Sequence, residues 1–525
     1  MGTKINTTLF QGALILTLAS LLSKLLSAVY RVPFQNMVGD EGFYIFQQAY
    51  PFYGISMTLS LTAAPLFISK VVAEYNGDYN AQRWFLERSK RYLGVLGFVL
   101  FIALFIAAPW LANTMGDPSL TGIIRVTSVT YLLLPYLGSY RGFYQGDNDM
   151  TPTAVSQAVE QVVRVAIIIV GAYIGVYVLD VSLYHVGELA MSGAIIGGAA
   201  GAIILAVFDK KRRGLQQIPT MRPENLQLPR GIWRDMFAVI ITSALLIWFQ
   251  MADAFQIFRL LVASGIETDQ AKILKGVYDR GQPLIQLGVV VVTSFSLSII
   301  PMISKARIQR ERVKLQRLVS FFMRTGIALG LAITVALVVM MPTLNYTLFA
   351  DYEGVDVLQV FVAGLFLLTL LVIITSVLQG FNSMKAPAIA AVCGIIIKVM
   401  LNGVWLPEHG IIGSAWATNS ALLASVLISV VILKQSINFE WPSWQFLIKL
   451  SFSVALMAAP LIIINYLPFV TNHRIVGLVV LIIASLIGAL LFLFSASYLR
   501  VITRQDIVML PMGRSVIKLI KKMKR

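Results

Sequence analysis

Apolar runs of about twenty residues recur from one end of this sequence to the other, each the length a helix needs to cross a hydrocarbon core. That recurrence constrains the fold more than any other feature. Backbone polar groups in lipid must be satisfied within the spanning structure, so only helices and closed barrels cross a membrane. The short alternating segments of a barrel are absent. Only 13% of the 525 residues are charged and 58% are hydrophobic, whereas a soluble chain carries about 25% charged residues. The chain therefore reads as an all-α polytopic membrane protein.

Fourteen spans are expected, over residues 9–30, 42–72, 92–112, 121–144, 153–178, 187–208, 232–258, 273–303, 319–341, 355–380, 387–406, 411–433, 446–468 and 475–498. Loops after even-numbered spans are basic, as in Lys210 to Arg213 and in Lys305, Arg307, Arg310, Arg312, Lys314 and Arg317. Several loops after odd-numbered spans are short and acidic, with Asp117 and Asp180, or Asp351, Glu353 and Asp356. The positive-inside rule then places both termini in the cytoplasm. It also accounts for the net charge of +17 without a nucleic-acid partner.

An internal repeat organises the spans. Ser60 to Pro65 (SLTAAP) resembles Ser296 to Pro301 (SLSIIP), and Gln145 to Met150 (QGDNDM) resembles Gln379 to Met384 (QGFNSM). Both pairs are about 235 residues apart and fall at equivalent helix ends, which implies two six-span lobes in parallel. The expected division is an N-lobe at 1–208, a basic cytoplasmic linker at 209–231 and a C-lobe at 232–434. Two extra spans occupy 435–498. Residues 499–525 form a basic amphipathic tail suited to the anionic inner leaflet.

Catalytic patterns are missing. There is no Walker A loop, no nucleophile elbow and no metal-ligand spacing among three histidines and one cysteine. Neither a cofactor nor a metal is expected, and an enzyme is not. What stands out is ionisable residues at membrane depth: Lys24, Arg31, Glu160, Arg164, Arg280 and Lys398. Lys24 lies roughly 20 Å along its span, and a cation at the bilayer centre costs about 2.5–3.5 kcal/mol on insertion scales. Glu160 and Arg164, four apart, are expected to share a helix face and pair. Arg31 has snorkelling to the outer headgroups as its plainest alternative. The first span holds cations and no carboxylate, which disfavours a cation-coupled drug pump. It suits an anionic cargo, above all a pyrophosphate.

SKLLSAVYRVPFQNMVG from Ser23, QAYPFY from Gln48, and YRGFYQGDNDMTPTAVSQAVEQVVR from Tyr140 carry a family resemblance. They resemble the polysaccharide-export branch of the multidrug/oligosaccharidyl-lipid/polysaccharide exporter superfamily, and within it the MurJ-type lipid II flippases of Gram-positive bacteria. The resemblance implies two six-helix lobes around a central cavity, a groove at spans thirteen and fourteen for a polyprenyl tail, and a cargo of lipid II or another undecaprenyl-pyrophosphate glycan. It implies a bacterial cytoplasmic membrane setting, membrane lipids as partners, and cell-wall synthases as further candidates. Lys24 and Arg280 match cationic positions of the family, and Arg31 lies one position from another. After Pro51 the family's basic residue has no counterpart, since Phe52, Tyr53 and Gly54 follow. Other readings weighed are a multidrug antiporter, a scaffold that recruits synthases, and a membrane glycosyltransferase.

Overall fold

The computed structural model describes residues 22–23, 25–75, 77–213, 232–383, 385–465 and 473–501. Lys24, most of the expected linker and nearly all of the expected tail lie outside them. Regular structure among the described residues is helical throughout. Twelve of these helices are long and apolar enough to cross a membrane. The expected first and eighth spans are not counted among them: only the end of the first is described, and residues 273–303 divide into two helices near Arg280.

The first unit runs from Met1 to Asp279. Its helix α1 (Arg31–Thr58) joins what the hydropathy pattern separates into a loop and a second span. Gly39 alone departs from helical geometry, at φ 69° and ψ −176°, a backbone conformation open to glycine and strained for residues with a Cβ. The chain thus bends at Gly39 without a loop. Pro51 lies within α1, and a five-residue π-turn (Leu59–Ala63) leads into α2 (Ala64–Glu74), whose first turn holds Pro65. A wider turn and an N-terminal position are the places where a missing proline N–H is tolerated. Then follow α3 (Tyr79–Met115), α4 (Thr121–Ser128), α5 (Leu134–Gly146), α6 (Thr151–Tyr173) and α7 (Leu183–Arg213).

Three more helices fall within this unit: α8 (Ile232–Ser243), α9 (Leu245–Ala263) and α10 (Thr268–Asp279). Particular contacts explain this. A Cβ at Gly276 would stand 2.1 Å from the Asp40 carbonyl oxygen, so only glycine lets α10 approach the bend in α1 this closely. Lys272 Nζ meets Glu41 at 2.9 Å, and Gln48 Nε2 donates to the Ala254 carbonyl at 3.0 Å.

The second unit runs from Arg280 to Arg525. It contains α11 (Gly281–Ile308), α12 (Arg312–Phe349), α13 (Val355–Gly380), α14 (Lys385–His409), α15 (Ile411–Ser436), α16 (Trp444–Ile464) and α17 (Arg474–Tyr498). The last two pack on α12 through Ala328, Met340, Leu450, Met457, Leu481 and Ala484. Alanines at such a seam let helix backbones approach, which matters in lipid, where apolar burial alone drives little association. Their outer faces carry Phe452, Ile463 and Leu486, each more than 60% exposed, as a lipid-facing surface requires.

The repeated motif leaves a backbone signature in each unit. Helices α5 and α13 end at Gly146 and Gly380, and the residue two further on is left-handed in both, Asn148 at φ 62° and Asn382 at φ 59°. Each glycine also abuts a β-branched neighbour, Val72 in one unit and Ile303 in the other.

Candidate functional site

Arg31 occupies the first position of α1, just before the bend at Gly39. Its side chain is fully buried by protein, so it does not snorkel outward. The guanidinium lies 4.4 Å from the centre of the Tyr50 ring, on the far limb of the same helix. All three of its nitrogens lack a hydrogen-bond partner, and it forms no ion pair among the described residues. Gln35, Gln47 and Gln48 in the same helix also keep buried side-chain oxygens without donors. An aromatic face attracts a cation, by about 2 kcal/mol when desolvated. That falls short of replacing the hydrogen bonds that water gives five N–H donors.

A second arginine approaches the same aromatic group from α6. Arg164 donates to the Tyr53 hydroxyl and, at 2.7 Å, to Ser27 Oγ. It lies 5.2 Å from the Tyr53 ring and 5.9 Å from that of Tyr30. Gln161 Nε2 also donates to Ser27, at 2.9 Å. Tyr30, Phe46, Tyr50 and Tyr53 contact one another edge to face or tilted, with ring centres 5.8–6.5 Å apart. Two buried cations thus flank one aromatic cluster, and neither has a carboxylate partner among the described residues.

A neutralised pair stands on α10. Lys275 and Asp279 meet at 2.5 Å, four residues apart and both buried. Nearby, Asp253 accepts from the Tyr278 hydroxyl at 3.2 Å. Helix α10, which carries this pair, packs along α1, which carries Arg31. The site is therefore an arginine–tyrosine cluster with a lysine–aspartate pair at its edge.

The expected Glu160–Arg164 pair is not formed. Glu160 instead receives Arg141 of α5 at 2.6 Å, while Arg164 reaches Ser27 and Tyr53. An exposed i,i+4 pair is worth only about 0.2–0.5 kcal/mol, less than a charge-assisted contact to another helix. Of the expected cations among the described residues, Arg31 and Arg164 share the cluster. In the second unit, Arg280 is fully buried but forks onto Asp351 at 2.6 and 2.8 Å and lies over Phe349. Lys398 is buried between α14 and α15, donating to Thr418 Oγ1 at 2.5 Å and to Ser414 at 3.2 Å. Lys24 lies outside the described residues. The tyrosines and the Lys275–Asp279 pair are what the sequence reading missed. The i,i+4 spacing of Lys275 and Asp279 was a usable signal; the ring positions of Tyr50 and Tyr53, beside Pro51, were a weaker one.

Residues 9–307 match the model of a family described as polysaccharide biosynthesis protein. The chain is 34% identical to the uncharacterised membrane protein YabM of Bacillus subtilis strain 168, over 98% of this chain and 97% of that one. It is 26% identical to the lipid II flippase MurJ of the same organism, over 86% of each. Among solved structures, an inward closed conformation of the lipid II flippase MurJ aligns with a TM-score of 0.66 at 15% identity, over 92% of this chain and 98% of that one. An inward-facing multidrug transporter of the MATE family aligns at 0.59, over 79% and 96%. The fold is thus that of known membrane transporters. With the twelve apolar helices, these likenesses settle the affiliation: this multi-pass membrane protein belongs to the polysaccharide biosynthesis protein family.

Proposed function

We propose that the chain is a flippase for a lipid-linked cell-wall precursor, carrying lipid II or a closely similar undecaprenyl-pyrophosphate glycan from the inner to the outer leaflet. One observation carries the reading. Arg31 is buried and charged, and among the described residues it forms no ion pair and its guanidinium nitrogens have no hydrogen-bond partner of good geometry. Leaving a buried charge unpaired costs several kcal/mol, and a pyrophosphate supplies the acceptors an arginine fork fits best. Arg164 stands beside Tyr53, close to where the family's basic residue after the proline is missing, and brings a cation to that place from another helix.

In the mechanism, Arg31 and Arg164 hold the phosphates while the Tyr30, Tyr50 and Tyr53 rings exclude water from them. Lys24 is a further contact by resemblance, whereas Arg280, which the resemblance also offers, is already answered by Asp351. Arg31 is buried in the arrangement described, so cargo reaches it only when the helices around it move, as alternating access requires. The bend at Gly39 and Pro51 are suitable hinge positions. The polyprenyl tail stays at the apolar faces of α16 and α17, with both termini of the chain in the cytoplasm. No acid/base cluster is invoked, because transport breaks no bond.

A second reading, export of another polyprenyl-pyrophosphate glycan, gains weight from the higher identity to YabM than to MurJ. Depletion of the chain in cells separates the two. Lipid II exposure in the outer leaflet falls on the first reading. On the second, exposure is unchanged and another lipid-linked glycan accumulates inside.

A further inference from the structure

A cavity of about 1060 Å³ opens in the second unit, between the end of α11, the start of α12 and the segment that leads into α16. Four cations line it: Lys305, Lys314, Arg317 and Arg324. The lone carboxylate among its lining residues is Glu440. Lys314 is answered by Glu311 at 2.7 Å. The side chains of Lys305 and Arg317 make no ion pair or hydrogen bond among the described residues, and Arg324 packs its guanidinium 4.9 Å from the Phe446 ring. In sequence these residues look like an ordinary solvated loop charge. Folded, three of them surround one space.

The rest of the wall is apolar, with Met302, Leu318, Phe321 and Phe439. Beside it, Trp441 and Trp444 are 42% and 74% exposed, and Phe439 and Trp441 contact each other. Exposed tryptophans at helix ends sit at the headgroup level of a bilayer. A cationic cavity with apolar walls at that level matches a molecule with a phosphate head and a hydrocarbon tail.

We propose that this cavity binds the phosphate headgroup of a membrane amphiphile, held by Lys305, Arg317 and Arg324, with its chain against Phe321 and Phe439. The site is separate from the arginine–tyrosine cluster of the first unit and does not depend on what the chain transports. Glu440 opposes the phosphate and weakens binding, and its backbone carbonyl, held by Ser320 Oγ at 3.2 Å, fixes the wall regardless of its side chain.

The test uses the full chain, purified and delipidated, in nanodiscs of zwitterionic lipid doped with phosphatidylglycerol or with undecaprenyl phosphate. Bound amphiphile is quantified after capture of the protein. Lys305→Gln with Arg317→Gln is expected to weaken retention about tenfold or more. Glu440→Gln strengthens it a few-fold, an opposite sign that misfolding cannot produce. Arg312→Gln, a nearby cation outside the cavity, leaves it unchanged. Whichever lipid is retained more strongly names the source of the phosphate. Retention unaffected by the double substitution overturns the site. So does binding of inorganic pyrophosphate alone, lost in the double variant while neither lipid is retained, since the ligand is then a soluble anion.

Discussion

Arg31 and Arg280 are both fully buried arginines of a membrane protein, yet they live differently. Arg280 forks onto Asp351 and is closed off as an ion pair; Arg31 faces a tyrosine ring and makes no ion pair among the described residues. Lys398 sides with Arg280, since three oxygen contacts of α15 answer its ammonium. The comparison teaches that depth alone does not mark a binding cation. What the proposed function asks for is depth without a partner, and among the described residues Arg31 of the first unit meets it.

The largest expected effect tests the side that is unpaired. Arg31→Glu reverses the charge offered to a phosphate and abolishes outer-leaflet exposure of the cargo at matched expression. Arg164→Met comes next. It removes a cation and takes a donor from Tyr53 and from Ser27, which keeps Gln161, so transport falls about tenfold or more and stability drops by about 1–3 kcal/mol. Arg280→Met sharpens the contrast from the paired side. Asp351 loses its fork partner but keeps solvent and the Glu353 N–H at 2.9 Å, so unfolding costs change by about 1–3 kcal/mol. Asp351→Asn added to Arg280→Met recovers part of that loss. If Arg280→Met instead abolishes transport without lowering the unfolding midpoint, the division between the two arginines is wrong. Gly276→Ala forces α10 off the Asp40 carbonyl and destabilises by about 1–3 kcal/mol. Lys398→Met is expected to be smallest, within about 1 kcal/mol and silent in transport, because Thr418 Oγ1 already bonds the Ser414 carbonyl at 3.0 Å.

The helices were legible because lipid demands apolar runs of one length, and their ends mostly fall within a few residues of the expected bounds. The bend at Gly39 was not, since hydropathy reads the polar residues Gln35, Asn36, Asp40 and Glu41 as a loop, whereas α1 stays helical through them. Hydropathy also has no access to the glycine at 276 and the Lys272–Glu41 contact, which bind α10 to α1. At the site, Arg31 was legible as a cation without a nearby acid. The partners of Glu160 and Arg280 were not, because Arg141 and Asp351 stand 19 and 71 residues away along the chain. Local spacing has no access to contacts of that range, and a fold decides them.

The most direct test of the account pairs two readings on Arg31→Met: the unfolding midpoint of the purified protein and the restoration of outer-leaflet lipid II in depleted cells. A methionine, shorter but unbranched and apolar, removes a buried charge that makes no ion pair among the described residues. The account predicts a midpoint equal to or above wild type, with transport reduced about tenfold to a hundredfold, the worth of hydrogen bonds to a charged group. A lowered midpoint with transport intact would contradict it, because Arg31 would then be holding the fold together and not waiting for an anion.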